Sequence, residues 1–134
     1  PTESHVVTTF ELGGDPATSA RAYERALGLN RELERLNPEA PEARESIGSV
    51  LINRGRSRAK LGDVAGAEED LGEAARLFEE LGQAFPDKPL YPVNLAKAID
   101  LIGSALADAG RSEDAARAYR RVIGIYEKLA GGGA

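Results

Sequence analysis

Four cations stand close together in the middle of the chain: Arg54, Arg56, Arg58 and Lys60. No acid lies between Ser46 and Gly62, whereas the stretch from Asp63 to Glu80 holds seven acids against Arg76 alone. On a helix, residues four apart share a face. Arg54 and Arg58 therefore share one face, and Arg56 and Lys60 another. Cations left unpaired on such a face bind carboxylates, arginine doing so through two parallel hydrogen bonds. Against that reading stands internal pairing with Glu68, Glu69, Asp70 or Glu73, which is worth about 0–1 kcal/mol per exposed pair. Further on, Lys97, Asp100, Ser104 and Asp108 are mixed in sign. Asp100 and Asp108 share a face, where a solvated surface accounts for them better than an acid–base pair.

Other chemistry is closed off by composition. There is no cysteine, which removes disulfides, thiolate metal sites and cysteine nucleophiles. The one histidine, His5, reads as a surface residue and leaves no His-based metal set or catalytic pair. Gly13-Gly14 and Gly131-Gly132-Gly133 lack the following Lys-Ser/Thr of a phosphate loop. The net charge of −5 argues against nucleic acid, and no apolar run nears the roughly 20 residues of a membrane span. The expectation is a non-enzymatic chain with no cofactor and no bound metal. Without a targeting segment, the cytoplasm is the default location.

Those cations must be positioned by helices. With 42% apolar and 29% charged residues, the 134-residue chain has a globular balance, and its 22 alanines favour helix. Three glycine breaks fall at equal spacing, Gly14-Asp15, Gly62-Asp63 and Gly110-Arg111, each 48 residues after the last. Behind them the same register recurs: Ser19, Ala67 and Ala115 are small; Tyr23, Leu71 and Tyr119 are large. Ala26, Ala74 and Val122 follow, then Leu29, Leu77 and Ile125, then Leu33, Leu81 and Leu129. These offsets trace one helical face. Ahead of the breaks, Pro38, Pro41, Gly55, Ala59 and Gly62 match Pro86, Pro89, Gly103, Ala107 and Gly110. Each repeat reads as a helical hairpin. The spacing predicts five helices near 16–36, 41–60, 64–84, 92–109 and 112–130, with Asp15, Asp63 and Ser112 as N-caps. Asn37-Pro38 and Phe85-Pro86 stop helices, because a residue before proline avoids the α region. Tyr23, Tyr119 and Tyr126 are expected in the core or at a hairpin interface. Residues 6–10, Val-Val-Thr-Thr-Phe, fit a frayed helix end, an extended arm or a strand.

The sequence Gly55, Gly62-Asp63, Ala67, Leu71, Ala74, repeated as Gly103, Gly110-Arg111, Ala115, Tyr119, resembles the tetratricopeptide pattern over about residues 13–130. The 48-residue period resembles the long form found in bacterial multidomain arrays, including those attached to Ser/Thr protein kinases. The resemblance implies an all-α superhelix of stacked hairpins, closed by these small residues, with a concave groove that takes a protein or peptide segment. It places Arg54 and Arg58 against neighbouring helices, where the third repeat has Ile102 and Leu106. It places Arg56 and Lys60 in the groove, with Lys97, Asp100 and Ser104, and so implies an acidic partner. Arg56 and Ser104 occupy the places of the groove asparagine in chaperone-binding members, which argues against a chaperone-tail adaptor.

The organisation expected is an N-terminal arm or partial helix (1–12), the second helix of an incomplete first repeat (13–37), two full repeats (38–85 and 86–130) and a flexible tail (131–134). Both ends read as cut from something longer. A structural, self-assembling segment, or a regulatory region of a multidomain signalling protein such as a kinase, is the alternative function. Apolar residues on more than one side of the last helix predict a dimer or self-association through the terminal helices, or through residues 1–12 docking on a neighbour.

Overall fold

A computed structural model describes residues 16–132. The expected N-terminal arm, His5, Gly13-Gly14, the Asp15 cap and the end of the tail lie outside the described residues. Five helices follow one another: α1 (Pro16–Leu36), α2 (Glu42–Lys60), α3 (Val64–Ala84), α4 (Leu90–Asp108) and α5 (Ser112–Gly132). The fold is all-α. Each helix packs on its neighbours in sequence, and α2 also touches α4. This is a row of helical hairpins.

The turns are built from the residues that mark the repeat. Gly62 and Gly110 take φ of +84° and +82°. In both, the glycine amide and the next one turn back to close the helix end: Gly62 N donates to Ala59 O and Asp63 N to Arg58 O, as Gly110 N donates to Ala107 O and Arg111 N to Leu106 O. Asp63 then caps α3, its Oδ1 accepting from Gly66 N at 2.9 Å. Phe85 ends α3 in an extended conformation ahead of Pro86.

Three boundaries differ from expectation. Helix α4 begins at Leu90 with Pro89 as its cap, so Pro92 sits inside the first turn instead of opening it. The first turn tolerates proline because its amides have no partner within the helix. Ser112 is the first residue of α5 rather than its cap; the preceding carbonyl, of Arg111, accepts from Ala115 N. The same helix runs through Gly131 and Gly132, where a flexible tail was expected.

Close approach depends on small residues. A Cβ on Gly55 would lie 2.6 Å from Leu71 Cγ, and one on Gly103 would lie 2.8 Å from Tyr119 Cε1. Ala67, Leu71 and Ala74 are fully buried, and Ala115 nearly so. Tyr23 is buried as expected and Tyr119 is half-buried, but Tyr126 is 48% exposed. Leu29 and Leu33, aligned with buried Leu77 and Leu81, are also exposed. Among the described helices, α1 is packed on α2 and reaches α3 through Arg31. Ion pairs join successive second helices with reversed sign, Arg31–Glu73 at 3.6 Å and Glu79–Arg121 at 3.1 Å, at positions 48 apart.

Tyr91 is a core residue with no aromatic counterpart in the preceding repeat, where Ala43 stands. Its hydroxyl donates to Glu45 and so ties α4 to α2. Its ring tilts against Phe85 at 6.2 Å, with Lys88 Nζ over both rings. Burial, then the Glu45 hydrogen bond, pushes the Tyr91 hydroxyl from 10.0 up to about 12. Below pH 10 the phenol is protonated in both the folded and unfolded chain, and its full contribution is present. Between those two values the unfolded chain ionises first, so stability falls as pH rises. Urea titrations across that window should show a steeper alkaline loss for the native chain than for Tyr91→Phe. Parallel slopes would refute it.

Candidate binding face

Helix α2 brings all four central cations to the hairpin surface, and α3 decides which remain free. Asp70 is 1% exposed and faces α2. It accepts from Arg54 Nε and Nη2, both at 2.8 Å, and from Arg58 Nη1 at 3.0 Å. Hydrogen bonding to Asp70 raises the Arg54 guanidinium further above its ordinary value, against the opposing effect of burial. Of the acids expected to pair, Asp70 takes both arginines. Glu68 instead binds Arg111 at 2.9 Å, and Glu73 binds Arg31.

The cluster is a local substitution within the repeat. Residues 48 further on are Ile102 for Arg54, Leu106 for Arg58 and Ala118 for Asp70. One hairpin fills this space with a carboxylate and two guanidinium groups, the next with aliphatic side chains. Asp70 was one of four candidates in the sequence. The sequence left the four equal; the signal that could have singled out Asp70 is Ala118, since an acid stands where the next repeat has a half-buried alanine against the core.

Arg56 and Lys60 are left. Arg56 is half-buried and Lys60 exposed. Neither has an ion pair or hydrogen-bonding side-chain partner among the described residues. Lys97, Asp100 and Ser104 are exposed on α4. By repeat position Ser104 continues the row of Arg56, Asp108 that of Lys60 and Lys97 that of Ser49. The free cationic charge therefore concentrates on α2, and the α4 part of the face is mixed. Among the described residues no group of three His, Cys, Asp or Glu side chains could hold a metal, and no helix is long and apolar enough to cross a membrane.

A second concavity was not anticipated from the sequence. A groove of about 590 Å³ runs between the C-terminal half of α3 and α5, floored by Phe78, Leu95, Ile125 and Leu129 and edged by Pro86 and Pro89. A smaller hollow of about 240 Å³ lies where α1 meets α2, lined by Asn30, Asn37 and Ala43 among others. In the next repeat those three positions are Phe78, Phe85 and Tyr91, which fill the corresponding space. Neither concavity includes Arg56 or Lys60. No protein-family model, no curated protein and no solved structure matches the chain.

Proposed function

We propose that this chain is a non-enzymatic interaction scaffold whose α2 face, through Arg56 and Lys60, holds an acidic protein or peptide segment. One observation supports it above the others: Asp70 binds Arg54 and Arg58, while the two remaining cations of the same helix have no partner among the described residues. A structural role accounts for the paired arginines and leaves the free pair without a task. The resemblance to tetratricopeptide repeats points the same way, since that family uses the first helices of its hairpins to hold peptides.

Exposed pairs contribute about 0.2–1 kcal/mol each, so Arg56→Ala/Lys60→Ala should weaken an acidic peptide by roughly tenfold. Raising salt from 0.05 to about 0.5 M should produce a comparable loss, as the Debye length shortens. Fluorescence anisotropy with a labelled Glu-rich peptide measures both. A neutral peptide of the same length that binds equally well, or a double variant with unchanged affinity, would exclude the acidic-partner reading.

A further inference from the structure

Helices α2 and α4 are the same element one repeat apart, and they touch each other. Their water-facing stripes match in register. Ser49, Arg56 and Lys60 on α2 correspond to Lys97, Ser104 and Asp108 on α4, and Asp100 lies on the same α4 stripe. The charges do not match. In its C-terminal half the α2 stripe carries two cations and no acid, whereas the α4 stripe carries Asp100 and Asp108. Lys60 and Asp108 hold equivalent positions yet form no ion pair with each other. None of Arg56, Lys60, Asp100 and Asp108 has an ion pair or side-chain hydrogen bond among the described residues. The charges in the two adjoining turns are already engaged: Asp63 caps α3, and Arg111 binds Glu68 and Asp114. The step from positive on α2 to negative on α4 is therefore uncancelled among the described residues.

We infer that the segment held on this face is bipolar. Its acidic residues seat on Arg56 and Lys60 of α2, and basic residues a few positions along seat on Asp100 and Asp108 of α4. This rests on the reading of the α2 face as the binding surface and specifies its partner further. Geometry sets the spacing. Packed helix axes lie about 8–10 Å apart, and an extended chain advances about 3.3 Å per residue. A peptide crossing from α2 to α4 therefore spans the gap in about three residues. A uniformly acidic segment is attracted on α2 and repelled on α4. A bipolar one is attracted on both, and the repulsion is what turns the other away. Lys97 stands a turn before Asp100, so the match is confined to the C-terminal halves of the two helices.

Fluorescence anisotropy with three labelled peptides, blocked at both ends, tests it. One is Glu-Glu-Gly-Lys-Lys, the second its reordering Glu-Lys-Gly-Lys-Glu, and the third the acidic Glu-Glu-Gly-Gly-Gly. The first two have the same composition, so the chain's overall charge of −5 acts on them alike. The segregated peptide should bind about threefold tighter than either of the others, an exposed pair being worth a factor of about 1.4–5. Asp100→Asn/Asp108→Asn should abolish that advantage and leave the acidic peptide bound at least as well as before. Arg56→Ala/Lys60→Ala should weaken the segregated and acidic peptides alike. A segregated peptide no tighter than the reordered one, or an advantage that survives Asp100→Asn/Asp108→Asn, would overturn the inference; the acidic-partner reading then stands if the acidic peptide still depends on Arg56 and Lys60. Loss of that dependence removes the acidic-partner reading, and this inference with it.

Discussion

Asp70→Ala is expected to cost about 3 kcal/mol of stability, the lower end of what breaking a buried ion pair costs when one partner stays behind. The carboxylate is 1% exposed and accepts three hydrogen bonds, two of them from Arg54 as a bidentate pair. Its removal leaves two guanidinium groups in a site shaped to hold an anion. Arg54 bears most of the penalty, with a side chain only 17% exposed; Arg58, at 34%, can turn toward water. A domain of this size has about 5–15 kcal/mol in all, so the loss is large. The second hairpin carries the deficit, and both α1 and α4 depend on it for their packing.

The repeat supplies the matching control. Arg54→Ile/Arg58→Leu/Asp70→Ala writes the third repeat's residues into the second. Replacing a buried ion cluster by aliphatic side chains of comparable volume is neutral or stabilising by about 1–4 kcal/mol. The triple variant should therefore recover what the single one loses, and equal or exceed the native chain. Urea unfolding, compared at constant m, reads all three. A triple variant as unstable as Asp70→Ala, or a single variant within 0.5 kcal/mol or so of native, would mean that the cluster does not govern this hairpin's stability.

Much of this arrangement can be read in the sequence, because backbone chemistry sets it locally. Proline and glycine at 48-residue intervals place the turns, and α1 and α3 occupy the residues that cap and proline signals predict. The α4 start was harder, since Pro89 and Pro92 both suit a first turn. Arg54 and Arg58 also declare their packing role, by standing where Ile102 and Leu106 do. What local pattern could not supply is whatever depends on a neighbour. Tyr126 has the spacing of a core tyrosine and lies exposed; Tyr91, with Ala43 as its counterpart, finds its partners Glu45 and Phe85 only once the hairpins stack. The groove beside α5 is likewise a product of stacking: Ile125, Leu129, Pro86 and Pro89 each carry the periodic signal, but it does not say that they line one hollow.

The seating of Phe78 on α2 can be tested by two alanine substitutions. Phe78 lies against Gly48, where a Cβ would come within 2.6 Å of Cε2 and 2.7 Å of Cζ. The residue 48 positions after Gly48 is Ala96, and the ring that follows it, Tyr126, is out in solvent. Gly48→Ala gains about 1 kcal/mol of helix propensity but overpacks a ring that is 1% exposed, at a cost of about 1–3 kcal/mol. The ring cannot yield by bending, so the overpacking wins, and the expected net loss is about 1–2 kcal/mol, with Phe78 displaced toward the groove it already lines. Gly72→Ala is the opposite case. It sits mid-helix in α3, exposed, with nothing within 4 Å of an added Cβ, and keeps the propensity gain of up to about 1 kcal/mol. Thermal unfolding should move down for the first variant and up for the second, by several degrees each way. Equal shifts would show that helix propensity, and not the fit of Phe78 over Gly48, sets the stability of this hairpin.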